Sequence, residues 1–203
     1  VLAHAAARDA ERLRYATARV TEGALIAGGL FAVIIGLGAR FGIDVVAGAE
    51  GRDSVPVLQI MAVSVMGTFL VAAWGFVLLS RKRYKELMVA NAAVLVLAVV
   101  ASLVMIPPYG ARGSAAVTAV LELGLALMYG LALARELPGL RAGWELAPRL
   151  ALALAVAFAV GLPLLLVHPV LATLAGATAY LAVLWLLKAV PPELLDAVLR
   201  RSS

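Results

Sequence analysis

The chain has 203 residues, 64% of them hydrophobic and 14% charged, with no cysteine and a formal charge of +5. Forty-two Ala, thirty-eight Leu and a mean hydropathy of +1.03 exclude a disordered, disulfide-stapled or ordinary soluble domain. Positive charge alone would suit a nucleic-acid binder. Here, however, the basic clusters are separated by six apolar stretches of membrane length, so membrane lipid is the expected partner and nucleic acid is not.

In chain order, residues 2–20 read as a helix with Leu2, Ala6, Leu13 and Ala16 among charged neighbours. The segment 1–22 is therefore expected to be a short cytoplasmic connector helix, either solvated or resting on anionic lipid. Val1 is not an initiator and no signal peptide precedes the first apolar stretch, so the chain reads as a portion of something longer. Crossing a hydrocarbon core about 30 Å thick takes about 20 apolar residues at about 1.5 Å rise each. Six stretches meet this: 23–41, 57–79, 87–106, 114–134, 150–167 and 169–187. They make one transmembrane domain, 23–190, with a short cytoplasmic tail at 191–203.

The connections carry turn chemistry. Gly, Asp, Ser and Pro fill 42–56, 80–86 is a charged hinge, and 107–113 opens with Pro-Pro-Tyr-Gly. Pro138, Gly139 and Gly143 punctuate 135–149, and Pro191-Pro192 closes the last span. Pro163 and Pro169 flank a tight turn, so the last two spans also read as one broken helical hairpin. Alternation of period two is absent, which argues against a β-barrel. The expected fold is an all-α integral membrane protein with six transmembrane helices.

Charge sets the expected sidedness. Arg8, Arg12, Arg14 and Arg19 precede the first span; Arg81, Lys82, Arg83 and Lys85 follow the second. Arg135, Arg141 and Arg149 follow the fourth, and Lys188, Arg200 and Arg201 follow the sixth. Only Arg40, Arg52 and Arg112 fall on the other side, against these fourteen. The positive-inside rule then puts both termini in the cytoplasm.

Signals for covalent chemistry are sparse. Without cysteine, thiolate metal sites and Cys nucleophiles are impossible. His4 and His168 fall on opposite sides of the membrane and cannot pair on a metal. No catalytic residue, metal or cofactor is expected. Gly110-Ala-Arg-Gly113 could offer N–H groups to an anion, although a plain reverse turn suits it better. Glu122 is the one acidic residue well inside a span, about 12 Å below the outer edge at helical rise. Such a carboxylate faces a cavity, a proton path or a neighbouring helix. Asn91, four residues into the third span, is suited to an interhelical hydrogen bond. Ser64, Thr68, Ala72 and Gly75 share a face of the second span, and Ala151, Ala155 and Ala159 share one of the fifth; both patterns favour close helix packing. Trp144, Tyr84, Tyr109 and Tyr15 sit near ends as interface anchors, whereas Trp74 and Trp185 lie deeper and suggest no role.

From Lys85 to Glu122 the chain reads K-E-L-M-V-A-N-A-A, an apolar helix, then I-P-P-Y-G-A-R-G-S-A-A-V-T-A-V-L-E. This stretch resembles the polysaccharide and lipid-linked oligosaccharide flippases of the multidrug/oligosaccharidyl-lipid/polysaccharide exporter superfamily. The resemblance rests on Asn91, Ile106, Pro107, Gly110, Gly113, Ala115, Ala116, Thr118 and Glu122. The opening of the second span, V-L-Q-I-M-A-V-S at 57–64, and Asp9-x-Glu11 add to it. It is dense over roughly forty residues and extends to the rest of the chain by topology. It implies that the six spans correspond to the last six of a fourteen-helix transporter of the bacterial inner membrane. Such a transporter moves a lipid-linked glycan by alternating access, with Glu122 and Asn91 as transport or substrate candidates and Pro107, Gly110 and Gly113 as a structural turn. It also implies partner helices N-terminal to this chain, which would supply most anion-binding groups, because no Lys or Arg lies deep in any span. Two other classes stay open. One is a non-transporting membrane scaffold subunit. The other, an intramembrane glycan ligase or polymerase, is disfavoured by an external loop of only about fifteen residues.

Overall fold

The computed structural model of the chain describes residues 2–137 and 146–189, with side chains from residue 11 onward. The expectations for Pro138, Gly139, Arg141, Gly143, Trp144, Pro191-Pro192, Arg200, Arg201 and the tail fall outside the described residues, as do the side chains of His4 and Arg8. Among the described residues the fold is all helix: α1 (Leu2–Ala47), a 3-10 turn (Ala49–Ser54), α2 (Val55–Ser80), α3 (Tyr84–Glu136), α4 (Ala147–Leu164) and α5 (Pro169–Leu186). All five α-helices are long and apolar enough to cross a membrane. The expected count of six is reached only by counting two arms of α3 separately, since its backbone leaves helical geometry at the single residue Gly110.

That residue reverses the chain. Along a continuous helix, Asn91 and Tyr129 would stand about 57 Å apart; instead the Asn91 amide donates to the Tyr129 hydroxyl at 2.6 Å. The arms 84–109 and 111–136 therefore lie antiparallel, and each is about 39 Å long. Only 6% of the most apolar window of α3 is buried, with Met88, Leu95 and Leu103 pointing outward. That is a lipid-facing surface rather than a water-facing one.

Two further boundaries differ from the sequence reading. The connector is not a separate element: α1 runs unbroken from Leu2 to Ala47, 46 residues or about 69 Å. Its N-terminal third extends the first span, because Ala, Leu, Arg and Glu around Gly23 keep helix propensity high and no Pro intervenes. α1 also continues six residues past the expected end at 41. Arg40 and Asp44 form an i,i+4 pair there, and the loop shrinks to Gly48 (φ 64) and the 3-10 turn.

Contacts fix the packing. α1 lies in the middle and touches α2, α4 and α5, while α3 packs on α2. Leu37 of α1 fits a notch formed by Gly161 and Gly176, where any Cβ would overlap its side chain. With Val33 it meets Ala153 and Ala157 in the larger core cluster. The buried stripe of α4 is thus Leu150, Ala153, Ala157 and Gly161, and the expected small-residue face of Ala151, Ala155 and Ala159 points outward. Alanine occupies every second position from 151 to 159, so it lies on all faces; Gly161, the one position open enough for Leu37, selects the stripe.

α2 and α5 end alike. Lys82 (φ 59) and Lys188 (φ 50) occupy left-handed positions. The paired bonds from Arg83 N to Leu78 O at 3.0 Å and from Lys82 N to Leu79 O at 2.9 Å make a Schellman cap, and Ala189 and Lys188 repeat it on Leu184 and Trp185. Contacts such as Gly28 with Phe69, Gly36 with Phe158 and Gly38 with Thr173 give alternating chain directions through the bundle. Both caps, Arg19, Lys85, Arg135 and Arg149 consequently gather at one end, the basic end. Arg40, Arg52 and Arg112 lie at the other.

Candidate functional site

Apart from Asp9 and Glu11 on α1, the resemblance-bearing residues lie on the folded α3 and on α2. At the fold, Pro107 and Pro108 do not break the helix as expected. They stay within the first arm, since a fixed φ near −65° is helical, and the reversal falls on Gly110 at φ 56, ψ −134. That combination mirrors extended backbone and is open to glycine alone. Gly113 is buried one turn later. A Cβ there would overlap the Met105 carbonyl oxygen and come within 2.9 Å of Tyr109 Cβ, so the second arm starts in direct backbone contact with the first. Ala115 and Ala119 continue that small, buried stripe.

Below the turn, the second arm runs parallel to α2. Gly67 of α2 lies against the backbone of Glu122, where a Cβ would stand 2.9 Å from its carbonyl carbon. Eight residues further along, Gly75 faces the Tyr129 ring, which a Cβ there would meet at 3.4 Å. Glu122 is half-buried, and among the described residues its carboxyl group forms no hydrogen bond or ion pair. Ser64 and Thr68, on the same stretch of α2, spend their hydroxyls on the Met61 and Ser64 carbonyls. Asn91 receives the interhelical bond expected of it, and its amide also donates to Leu87 O at 2.8 Å. Glu122 and Asn91 are not brought together. Tyr129, the partner of Asn91, lies seven residues or about 10 Å along the arm from Glu122.

At the basic end the hairpin is clasped by charge. Arg81 donates to Glu136 at 3.0 Å, Arg83 bonds the other Glu136 oxygen, and Arg83 also reaches Glu86 at 2.9 Å. The Arg83 and Arg81 hydrogen bonds hold the Glu136 carboxyl, beyond the apolar segment 114–134, below its ordinary value of 4.5. In the sequence these cations mark sidedness alone, because Glu136 lies more than fifty residues from Arg81 and Arg83.

Two buried polar contacts on α1 were also missed. Trp74 Nε1 donates to Thr21 Oγ1 at 2.8 Å, with its ring over Gly130. Tyr180 is fully buried, and its hydroxyl donates to Ile26 O at 2.9 Å beside Gly29. The available signal was a Trp or Tyr in mid-span, whose polar atom needs a partner inside the bundle. Trp185 is lipid-facing; Tyr84 and Tyr109 are exposed at a helix start and beside the Gly110 turn, whereas Tyr15, also exposed, lies well inside α1 rather than near an end. His168 caps α5, its Nδ1 accepting from Val170 N at 3.2 Å.

No family model, curated protein or solved structure matches the chain. Its chemistry must therefore be read from these residues. Among the described ones, no three His, Cys, Asp or Glu gather as a metal site. The half-buried Glu122 carboxyl, without a partner among the described residues, is free to accept a hydrogen bond. Gly110, Gly113 and the Glu136 clasp hold the two arms of α3 against each other and against the end of α2.

Proposed function

We propose that this chain is part of a flippase that moves lipid-linked oligosaccharide or polysaccharide precursors across the bacterial inner membrane by alternating access. In this reading both termini are cytoplasmic and no covalent chemistry is performed. The observation that carries it is the folded α3. The residues of the resemblance coincide with the structural devices of one hairpin: Gly110 at the reversal, Gly113 at backbone contact, Asn91 bonded across the arms, and Glu122, whose backbone lies against Gly67 of α2 while its carboxyl has no partner among the described residues. A rigid hairpin suits transport by rocking of packed helix groups about a mid-membrane cavity. Glu122 is the group available there to exchange a proton as the cavity opens and closes. The cations that would meet a lipid pyrophosphate are assigned to helices N-terminal to this chain, since Arg40 and its fellows stand at the margins of the apolar stretches rather than in their middles.

Reading the coding sequence upstream of Val1 tests this against the scaffold alternative. The flippase reading expects about eight further spans in frame, the complement of a fourteen-helix transporter. A start codon directly before Val1 would overturn it.

A further inference from the structure

A cleft of about 450 Å³ opens between the two arms of α3 at the basic end. Its walls are apolar, formed by Val89, Ala90, Met128 and Leu131, and its mouth carries Lys85 and Arg135. Val89 and Leu131 are 65% and 51% exposed, so the cleft opens sideways, toward the surroundings of the hairpin, rather than into the bundle. Charge at the mouth is unbalanced. Glu86 also lines the cleft but is engaged by Arg83, and Glu136 is engaged by Arg81 and Arg83. Among the described residues, Lys85 and Arg135 form no ion pair. The helix start beside them is uncapped, as Arg83 offers no side-chain acceptor to the first-turn N–H groups. Lys85 there adds positive charge to the positive end of the helix dipole, an arrangement that favours an anion.

We propose that this cleft is a binding site for an anionic phospholipid. Its phosphate lies between Lys85 and Arg135, with the guanidinium supplying paired donors, and an acyl chain runs along Val89 and Leu131. The two halves of the cleft match the two halves of that ligand. A soluble anion would leave the apolar wall uncovered, and a zwitterionic lipid would leave the net charge at the mouth uncompensated. Basic pockets between spanning helices are suited to such headgroups. The site stands whether or not the protein moves glycans.

The test is native mass spectrometry of the purified protein in detergent, titrated with phosphatidylglycerol or phosphatidylcholine. Phosphatidylglycerol should be retained over phosphatidylcholine. Lys85→Ala with Arg135→Ala should weaken its binding about 30-fold, the loss expected for two cations near a lipid phosphate. The double exchange Lys85→Arg with Arg135→Lys, which keeps charge and exposure, should retain it, and Arg112→Ala at the opposite end should change nothing. Equal retention of the two lipids, or unchanged binding in the double-alanine variant, would overturn the proposal. So would displacement of the lipid by equimolar glycerol 3-phosphate, which would identify a site for free phosphate instead.

Discussion

Replacing Gly29 by Ala should destabilise the bundle through one identified atom. A Cβ at Gly29 falls on the Tyr180 hydroxyl oxygen and lies 3.0 Å from its Cζ and 3.3 Å from Leu150 Cδ1. Tyr180 cannot retreat, because its ring is fully buried and its hydroxyl is tied to Ile26 O. Overpacking of this kind costs about 2 kcal/mol, and a displaced hydrogen bond costs about 1 kcal/mol more. Exchanging Gly for Ala in a helix returns about 1 kcal/mol, leaving a net loss of about 2 kcal/mol. Tyr180→Phe alone removes only the hydrogen bond, about 1 kcal/mol. Together the two changes should cost about 0 kcal/mol rather than the sum of about 3, since Phe lacks the oxygen that the new Cβ meets and the helix gain of Ala offsets the lost hydrogen bond. Unfolding in mixed micelles titrated with SDS, followed by tryptophan fluorescence, measures all four corners of the cycle. A double variant whose loss equals the sum of the single losses, within about 0.5 kcal/mol, would refute the contact as described.

Gly113→Val should lower folded yield sharply, because its Cβ meets the Met105 carbonyl rather than a movable side chain; yield by size-exclusion chromatography equal to wild type would count against a constrained turn. The clasp on Glu136 should depend on acid in one direction. A carboxyl whose folded value is depressed stabilises above its unfolded value and loses that contribution as pH falls through the folded one. Glu136→Gln should therefore destabilise the hairpin at pH 7 and progressively less as the pH falls below the carboxyl's ordinary value of 4.5, as read by SDS unfolding; an effect that does not shrink with acid would exclude the ion pair as the cause. Single cysteines at Ser54 and Ser80, the two ends of α2, should react with an impermeant thiol reagent from opposite sides of the membrane, and labelling of both from one side would exclude α2 as a span and with it the topology.

Much of the fold is legible in the sequence because the bilayer imposes it. Apolar runs of about 20 residues and clustered cations mark spans and ends by composition alone. Helix ends were harder to place. Pro107 and Pro108 look like a stop, yet proline's fixed φ is helical and the break fell on Gly110, where the backbone needs a positive φ. Similarly, 42–56 looks like a loop, but α1 continues into it as far as Ala47, past the Arg40–Asp44 pair, and only Gly48 and the 3-10 turn remain between the helices. Helix faces depend on the neighbour: the stripe of α4 was decided by Leu37 of α1, more than a hundred residues away. The same holds for the site. Asn91 and Gly113 announce close contact by residue type, whereas the pairing of Glu136 with Arg81 and Arg83, or of Tyr180 with Ile26, arises only once the helices are packed.

Translocation itself tests the central claim most directly. The complete protein containing this chain would be reconstituted in vesicles with a polyprenyl-diphosphate oligosaccharide labelled on the sugar, and the labelled fraction reached by an impermeant quencher followed in time. The account predicts that this fraction rises well above the half exposed in protein-free vesicles and that Glu122→Gln, at equal reconstitution, slows the rise; a fraction that stays at the protein-free level would contradict it.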